Sequence, residues 1–90
     1  MTYALEVSAR ARRQLARLPV KTYNAIATFV EGPLTENPQR VGKALVDEFE
    51  GYRSARVGVF RIVYSVDDVV MVVGVVAIGH RASIYGRSLG

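Results

Sequence analysis

Apolar residues recur with two different periods along the first third of the chain, and the change of period predicts where a strand gives way to helices. Residues 3–7 alternate between apolar and polar side chains, as in a strand with one buried face. Residues 9–18 and 21–31 instead repeat apolar side chains three and four positions apart, as amphipathic helices do. Ser8 can cap the first helix and Pro19 ends it, so the two helices are expected to form a hairpin.

The remainder of the chain is expected to be a loop followed by strands. Residues 33–51 are punctuated by prolines and glycines and are predicted to be irregular. Three runs rich in valine, isoleucine and aromatic residues then predict strands over 52–57, 59–66 and 69–78. Gly58-Val59 and Asp67-Asp68 separate these runs and suit tight hairpin turns, which makes an antiparallel meander. The predicted fold is therefore a single α+β domain over residues 1–90, with the all-apolar last strand in a central position.

The two predicted turns fix a register, and the register brings arginines together. A Gly58-Val59 loop pairs Arg56 with Arg61, and like charges in a directly opposed pair destabilise an ordinary sheet. The apolar residues of these strands lie on the reverse face, so that face should pack on the helices and the arginine face should look outward. A two-residue Asp67-Asp68 turn pairs Arg61 with Gly74. The same register brings three further groups to this end of the sheet, where an anion would relieve the repulsion: His80, Arg81 and Tyr85.

Composition removes several functional classes. The 90 residues include no cysteine and one histidine, which excludes disulfides, a thiolate nucleophile and a two-histidine acid–base pair. Neither of the glycine-rich motifs that bind dinucleotides or nucleoside triphosphates occurs. The longest apolar run is about half of the ~20 residues that span a bilayer. Because no leader segment opens the chain, a cytoplasmic protein that does not bind membranes is expected.

The distribution of charge indicates a polyanionic partner. The net charge is +4, with five bases against one acid in residues 1–30, two against five in residues 31–50, and five against two in residues 51–90. Ten of the twelve bases are arginine, whose planar guanidinium suits bidentate contacts with phosphate. Nucleic acid is therefore the first candidate. The alternative is an arginine content that merely follows genomic base composition.

Several short motifs carry a resemblance to a known family. The run from Phe60 to Tyr64, the Asp67-Asp68 turn, and His80-Arg81 followed by Tyr85 resemble the RelE branch of the RelE/ParE superfamily of toxin–antitoxin toxins. Two upstream segments are similar to the family's approach to the sheet, with Ala44 in place of the usual proline: Arg40-Val41-Gly42-Lys43-Ala44-Leu45 and Phe49-Glu50-Gly51. The order, spacing and total length resemble the family over nearly the whole chain.

The resemblance implies a ribosome-dependent mRNA endoribonuclease that needs neither a metal ion nor another cofactor. In that family the 2′-hydroxyl attacks the adjacent phosphate and leaves a 2′,3′-cyclic phosphate and a 5′-hydroxyl. Arg61 and Arg81 match the family's charge-stabilising arginines, and Tyr85 matches its catalytic base. A free phenol titrates near ~10, and neighbouring guanidinium charges would favour its phenolate. Arginines are poor proton donors, so the general acid stays open, with His80 as one option.

The resemblance also implies binding residues and partners. RNA phosphates would be contacted by a second set of side chains: Lys43, Arg53, Arg56 and His80. Ribosomal RNA would be docked by arginines of the first helix, expected to lie far from the site: Arg10, Arg12, Arg13 and Arg17. The implied partners are a cognate antitoxin (RelB-like or Phd/YefM-like), the ribosome with its mRNA, and promoter DNA only through the toxin–antitoxin complex. A ParE-like gyrase inhibitor and a non-catalytic nucleic-acid-binding module stay open as alternative functions.

Overall fold

The computed structural model describes residues 2–84, in which two helices pack on one face of a five-stranded sheet. The strands are β1 (Ala4–Val7), β2 (Gly42–Ala44), β3 (Arg53–Val57), β4 (Phe60–Asp67) and β5 (Val72–His80). The helices are α1 (Ala9–Ala16) and α2 (Val20–Phe29), followed by a π-helical turn (Val30–Leu34) and, later, a 3-10 turn (Asp47–Phe49). The α+β class predicted from the sequence is confirmed.

The helix hairpin forms where the sequence predicts it. The hydroxyl oxygen of Ser8 accepts the amide of Ala11 at 3.1 Å and caps α1. The second helix does not stop at Gly32-Pro33 as expected, but widens there into the π-helical turn. Pro33 has no amide hydrogen to continue the helical ladder, and the hydroxyl of Thr35 donates to the carbonyl of Gly32 at 3.3 Å.

The strand order is β1-β5-β4-β3-β2, with β1 parallel to β5 and every other neighbouring pair antiparallel. The predicted meander of β3, β4 and β5 is confirmed, and β5 has a strand on each side. β2 lies within the segment predicted to be irregular. It has three residues, one of them glycine, so it carries no periodic signal, and its pairing with β3 defines it.

The hairpin between β3 and β4 follows the predicted register. Gly58 begins the loop with a φ of 60°, a conformation that glycine adopts without steric cost. Val57 pairs with Phe60, and Arg56 pairs with Arg61. The two arginines are therefore directly opposed on one face of the sheet.

The predicted turn between β4 and β5 is wrong. Asp67 is the last residue of β4 and pairs with Val72, so the turn covers residues 68–71. The Asp67 carboxylate accepts the amide of Val69 at 2.9 Å and caps the turn from inside the strand. Met71 closes the turn with a φ of 59°.

This longer turn, together with a bulge between Val63 and Tyr64, shifts the pairing of β4 with β5. Arg61 faces Gly79, whereas the two-residue turn would have paired it with Gly74. Gly74 pairs with Ser65 instead. Arg61 thus still lies opposite a glycine, but one close to the end of β5.

The inner face of the sheet packs against the helices, as the alternation predicts. Ile26 of α2 is fully buried against this face, with Ile62, Tyr64 and Val75 from the sheet. The outer face carries a smaller apolar cluster of Val63, Ala77 and Ile84. Within residues 2–84, no helix is long and apolar enough to cross a membrane.

Candidate nucleic-acid interface

A basic groove of about 370 Å³ lies on the outer face of the sheet, alongside β2, β3 and β4. No acidic side chain is among the described residues that line it. Four of its lining residues are basic: Arg40, Lys43, Arg56 and Arg61. Four positive charges around one concave surface create a field that attracts an anion. We call this surface the basic groove.

Strand pairing sets the positions of the basic side chains. Arg56 and Arg61 oppose each other across β3 and β4, and Lys43 pairs with Ser54 across β2 and β3. Arg56 is exposed, whereas Arg61 is half-buried and its Nη1 donates to the carbonyl of Phe60 at 3.3 Å. Guanidinium groups in an opposed pair repel each other, so a phosphate bound between them would stabilise the arrangement.

The turn after β5 returns to the same end of the sheet. The amide of Arg81 donates to the carbonyl of Val59 at 2.8 Å, which fixes this turn on the β3–β4 hairpin. The side chain of Arg81 is exposed. The predicted approach of Arg81 to this hairpin is therefore present, although through a different β4–β5 register. Tyr85, the predicted base, lies outside the described residues.

His80 lies on the other face of the sheet from Arg61. It pairs with Phe60, and the two rings meet edge to face with centroids 6.0 Å apart. Its Nδ1 accepts the amide of Ala82 at 3.1 Å, so this nitrogen holds the turn and only Nε2 is left to carry a proton. A role for His80 on RNA or as general acid stays a prediction.

Ile84 anchors the end of the described chain on the outer face. It is 5% exposed and packs on Val63 and Ala77. Gly79 provides the space, because a β-carbon there would lie 3.0 Å from Cδ1 of Ile84. We did not predict this contact, although Gly79, a glycine within the most apolar strand, indicates a position where another side chain packs closely.

The structure does not bring Arg53 into the basic groove. Arg53 pairs with Tyr64 on the inner side of the sheet. Its Nη2 donates to the carbonyls of Gln39 at 2.6 Å and Gly42 at 2.8 Å. The guanidinium therefore binds the backbone of the segment that precedes and begins β2.

The arginines of α1 do not form one uniform surface. The side chains of three are exposed: Arg12, Arg13 and Arg17. Arg10 instead lines a cleft of about 250 Å³ with Gly79, Ser83 and Ile84. The packing of α1 on β5 thus brings Arg10 close to the last turn, and the expectation that all four arginines lie far from the site stays a prediction. Gln14 marks that contact, since its Oε1 accepts the amide of Ile78 at 2.6 Å.

Arg40 is the groove residue that sequence reasoning missed. It lies in the segment predicted to be irregular, and only the pairing of β2 with β3 brings this segment to the groove. A pair of basic residues three positions apart, Arg40 and Lys43, was the available signal.

Within residues 2–84, no three histidine or acidic side chains are grouped so that they could hold a metal ion.

Sequence comparison identifies the family. The family model described as the ParE toxin of the type II toxin–antitoxin system parDE matches residues 5–85. Toxin RelE of Mycobacterium tuberculosis is 43% identical over 83 residues, which span 92% of this chain and 86% of the relative. The chain belongs to the RelE/ParE toxin superfamily. Toxin RelG of the same species is similar to this RelE-like chain as well, with 40% identity over 87 residues that span 97% of this chain and 100% of the relative.

Solved structures agree with this assignment. The Mycobacterium tuberculosis toxin–antitoxin complex RelBE2 contains a chain that superposes with a TM-score of 0.86 and 37% identity, covering 90% of this chain and 100% of that one. A mutant of Escherichia coli toxin RelE in the free state superposes with a TM-score of 0.75 at 21% identity, covering 96% and 93%. The RelE-like fold that the sequence predicts is thereby confirmed.

Proposed function

We propose that this RelE-like toxin is an endoribonuclease that cleaves mRNA on the ribosome. The observation that carries the proposal is the basic groove, with four cationic side chains and no acidic one among its described lining residues. Such a surface suits a phosphate backbone, whose binding is dominated by Lys and Arg contacts. The names of the relatives at 43% and 40% identity, RelE and RelG, support the RelE branch.

In the proposed reaction, the 2′-hydroxyl of one nucleotide loses its proton and its oxygen attacks the adjacent phosphorus. The bond from phosphorus to the 5′-oxygen breaks, and that oxygen leaves with a proton. The products are a 2′,3′-cyclic phosphate and a 5′-hydroxyl. Arg61 and Arg81 are the proposed donors to the negative charge that develops on the phosphorane oxygens, where one well-placed donor contributes roughly 10²–10³ in rate. Arg56 and Lys43 are the proposed contacts to flanking phosphates.

Proton transfer in this proposal falls to residues at the C-terminal end. Tyr85 is the predicted base, and Tyr85→Phe tests that role because it keeps the ring and removes only the hydroxyl. The acid that protonates the 5′-oxygen is unassigned. His80 could supply it only from Nε2, since its Nδ1 accepts the amide of Ala82 at 3.1 Å.

The test is to incubate the purified toxin with translating ribosomes and to map the ends of the mRNA fragments. The proposal predicts cuts in phase with codons and upstream fragments that end in a cyclic phosphate. Arg61→Ala should abolish most of the cutting, whereas Lys21→Ala, which removes a charge from α2 away from the basic groove, should not. Stalled gyrase complexes without cuts would indicate a ParE-like inhibitor, and the matching family model is described as a ParE toxin. If neither cuts nor stalled gyrase complexes were found, the remaining function would be a non-catalytic nucleic-acid-binding module.

The proposed partner is a cognate antitoxin of the RelB kind, because a solved relative at 37% identity is a toxin–antitoxin complex, RelBE2. An antitoxin segment that covers the basic groove should be acidic, since it must neutralise the four cationic side chains. Binding of promoter DNA is proposed for the toxin–antitoxin complex alone. Dependence on ribosomes implies that the toxin acts in the cytoplasm.

A further inference from the structure

The segment that precedes and begins β2 forms one wall of the basic groove, and side chains of β3 and β4 bind its backbone from the inner side of the sheet. Nη2 of Arg53 donates to the carbonyls of Gln39 and Gly42 at 2.6 and 2.8 Å. The hydroxyl of Tyr64 donates to the carbonyl of Pro38 at 2.5 Å. Three carbonyls of one short segment are therefore satisfied by two neighbouring side chains.

These two side chains are neighbours, one in the core and the other half-buried. Tyr64 is fully buried, and it pairs with Arg53 across β3 and β4. Nε of Arg53 is buried and has no hydrogen-bond partner within the described residues. Burial raises the pKa of Tyr64, an effect that the adjacent Arg53 partly opposes, so its hydroxyl stays protonated and available as a donor. Arg53 itself is half-buried, and its Nη2 is directed at the backbone of the wall of the basic groove.

The wall has little freedom to shift against these two side chains. A β-carbon at Gly42 would overlap the hydroxyl of Tyr64 and lie 2.8 Å from the carbonyl oxygen of Ser54. At the side-chain level, Nε2 of Gln39 donates to Oδ1 of Asp68 at 2.7 Å. Asp68 belongs to the β4–β5 turn, so the wall is tied to two separate parts of the meander.

We propose that Arg53 and Tyr64 form a clamp that positions Arg40 and Lys43 for binding of RNA phosphates. Arg53 is then a positioning residue that acts through Arg40 and Lys43 and does not itself touch RNA, and Arg40 joins the RNA-binding residues. This inference rests on the proposed function. Its physical basis is preorganisation: a wall that is already fixed spends less conformational entropy when two long cationic side chains engage phosphate.

A double-mutant cycle tests the clamp. The measured quantity is the Kd of the toxin for ribosomes programmed with an mRNA whose A-site codon carries 2′-O-methyl groups, which block cleavage. Arg53→Ala should weaken binding about tenfold in the parent, and less than about twofold in the Arg40→Ala/Lys43→Ala background. An equal loss in both backgrounds would mean that Arg53 contacts RNA directly and would overturn the proposal. Lys21→Ala controls for the loss of one positive charge.

Amide hydrogen exchange of the free toxin provides a readout that needs no RNA. Tyr64→Phe keeps the buried ring and Arg53→Lys keeps the charge, so both should fold. Each should speed exchange in residues 39–44 severalfold more than it speeds exchange of the core amides of β4 and β5. Unchanged exchange in residues 39–44 in both variants would overturn the clamp. Failure of the parent toxin to bind ribosomes would instead refute the proposed function, and the exchange data would still decide whether the clamp exists.

Discussion

Replacement of Gly42 by alanine tests the contact between the groove wall and the sheet. The new β-carbon would overlap the hydroxyl of Tyr64 and lie 2.8 Å from the carbonyl oxygen of Ser54. Neither neighbour can move freely. Tyr64 is fully buried with its hydroxyl bound to the carbonyl of Pro38 at 2.5 Å, and the Ser54 oxygen belongs to the backbone of β3.

The expected loss of stability follows from these two contacts. Overpacking at a tight site costs about 1–3 kcal/mol. Displacing the hydroxyl of Tyr64 leaves buried polar groups without partners, which costs about 1–3 kcal/mol more. The free energy of unfolding should therefore fall by about 2–6 kcal/mol, a large share of the ~5–15 kcal/mol typical of a domain. For a chain of this length, such a loss lowers the Tm by at least about 8 °C.

Urea and thermal unfolding followed by circular dichroism measure this loss. Gly32→Ala is the matched control, because nothing lies within 4 Å of a β-carbon at that position, and it should be neutral or stabilising. Adding Tyr64→Phe to Gly42→Ala removes the overlapping oxygen, so the two changes should cost less together than the sum of their separate effects. If Gly42→Ala were as stable as Gly32→Ala, our account of the groove wall would be refuted.

Three further predictions follow from the structure and the proposed function. Because burial raises the pKa of Tyr64, the folded state holds this proton more tightly than the unfolded chain does. Stability should therefore be complete below the unfolded value near ~10 and fall as the pH rises above it, and Tyr64→Phe should reduce that alkaline loss in urea titrations; an undiminished loss in Tyr64→Phe would contradict this. Arg13→Glu/Arg17→Glu should weaken ribosome association and change the single-turnover rate at saturating ribosomes little, because these exposed side chains are proposed to bind ribosomal RNA and not to take part in cleavage. A variant that kept full affinity at high salt but lost its cleavage rate would contradict this assignment. The toxin expressed alone should arrest growth. Coexpression of a small protein that is encoded beside the toxin and has an acidic toxin-binding segment should restore growth, and a harmless toxin that binds no such protein would contradict the proposed partner.

Much of the fold could be predicted because local chemistry and tertiary structure agree. Ser8 caps α1 as its position suggests, and Gly58 supplies the positive φ that the β3–β4 loop needs. The β4–β5 turn could not be derived in the same way. Two adjacent aspartates suit a two-residue turn equally well, but Asp67 stays in the strand and caps the longer turn with its carboxylate.

In the candidate site too, the features set by local turn chemistry could be predicted and those set by tertiary pairing could not. The pairing of Arg56 with Arg61 follows from the glycine loop and could be predicted. The contribution of Arg40 could not, because it depends on β2, whose three residues show no period. The position of Arg53 was within reach of the sequence. The alternation that directs Ala55 inward directs Arg53 inward as well, and only the resemblance suggested a contact with RNA.

The central claim, that the basic groove is the site of phosphate chemistry, is tested most directly by the single-turnover rate of mRNA cleavage on ribosomes saturated with Arg61→Ala. Arg61 is half-buried at the groove, opposite Arg56, and its charge is proposed to act as the phosphorane forms. We predict a rate at least about 10²-fold lower than that of the parent, with the variant still bound and Lys21→Ala at the parent rate. Cleavage by Arg61→Ala at the parent rate would contradict it.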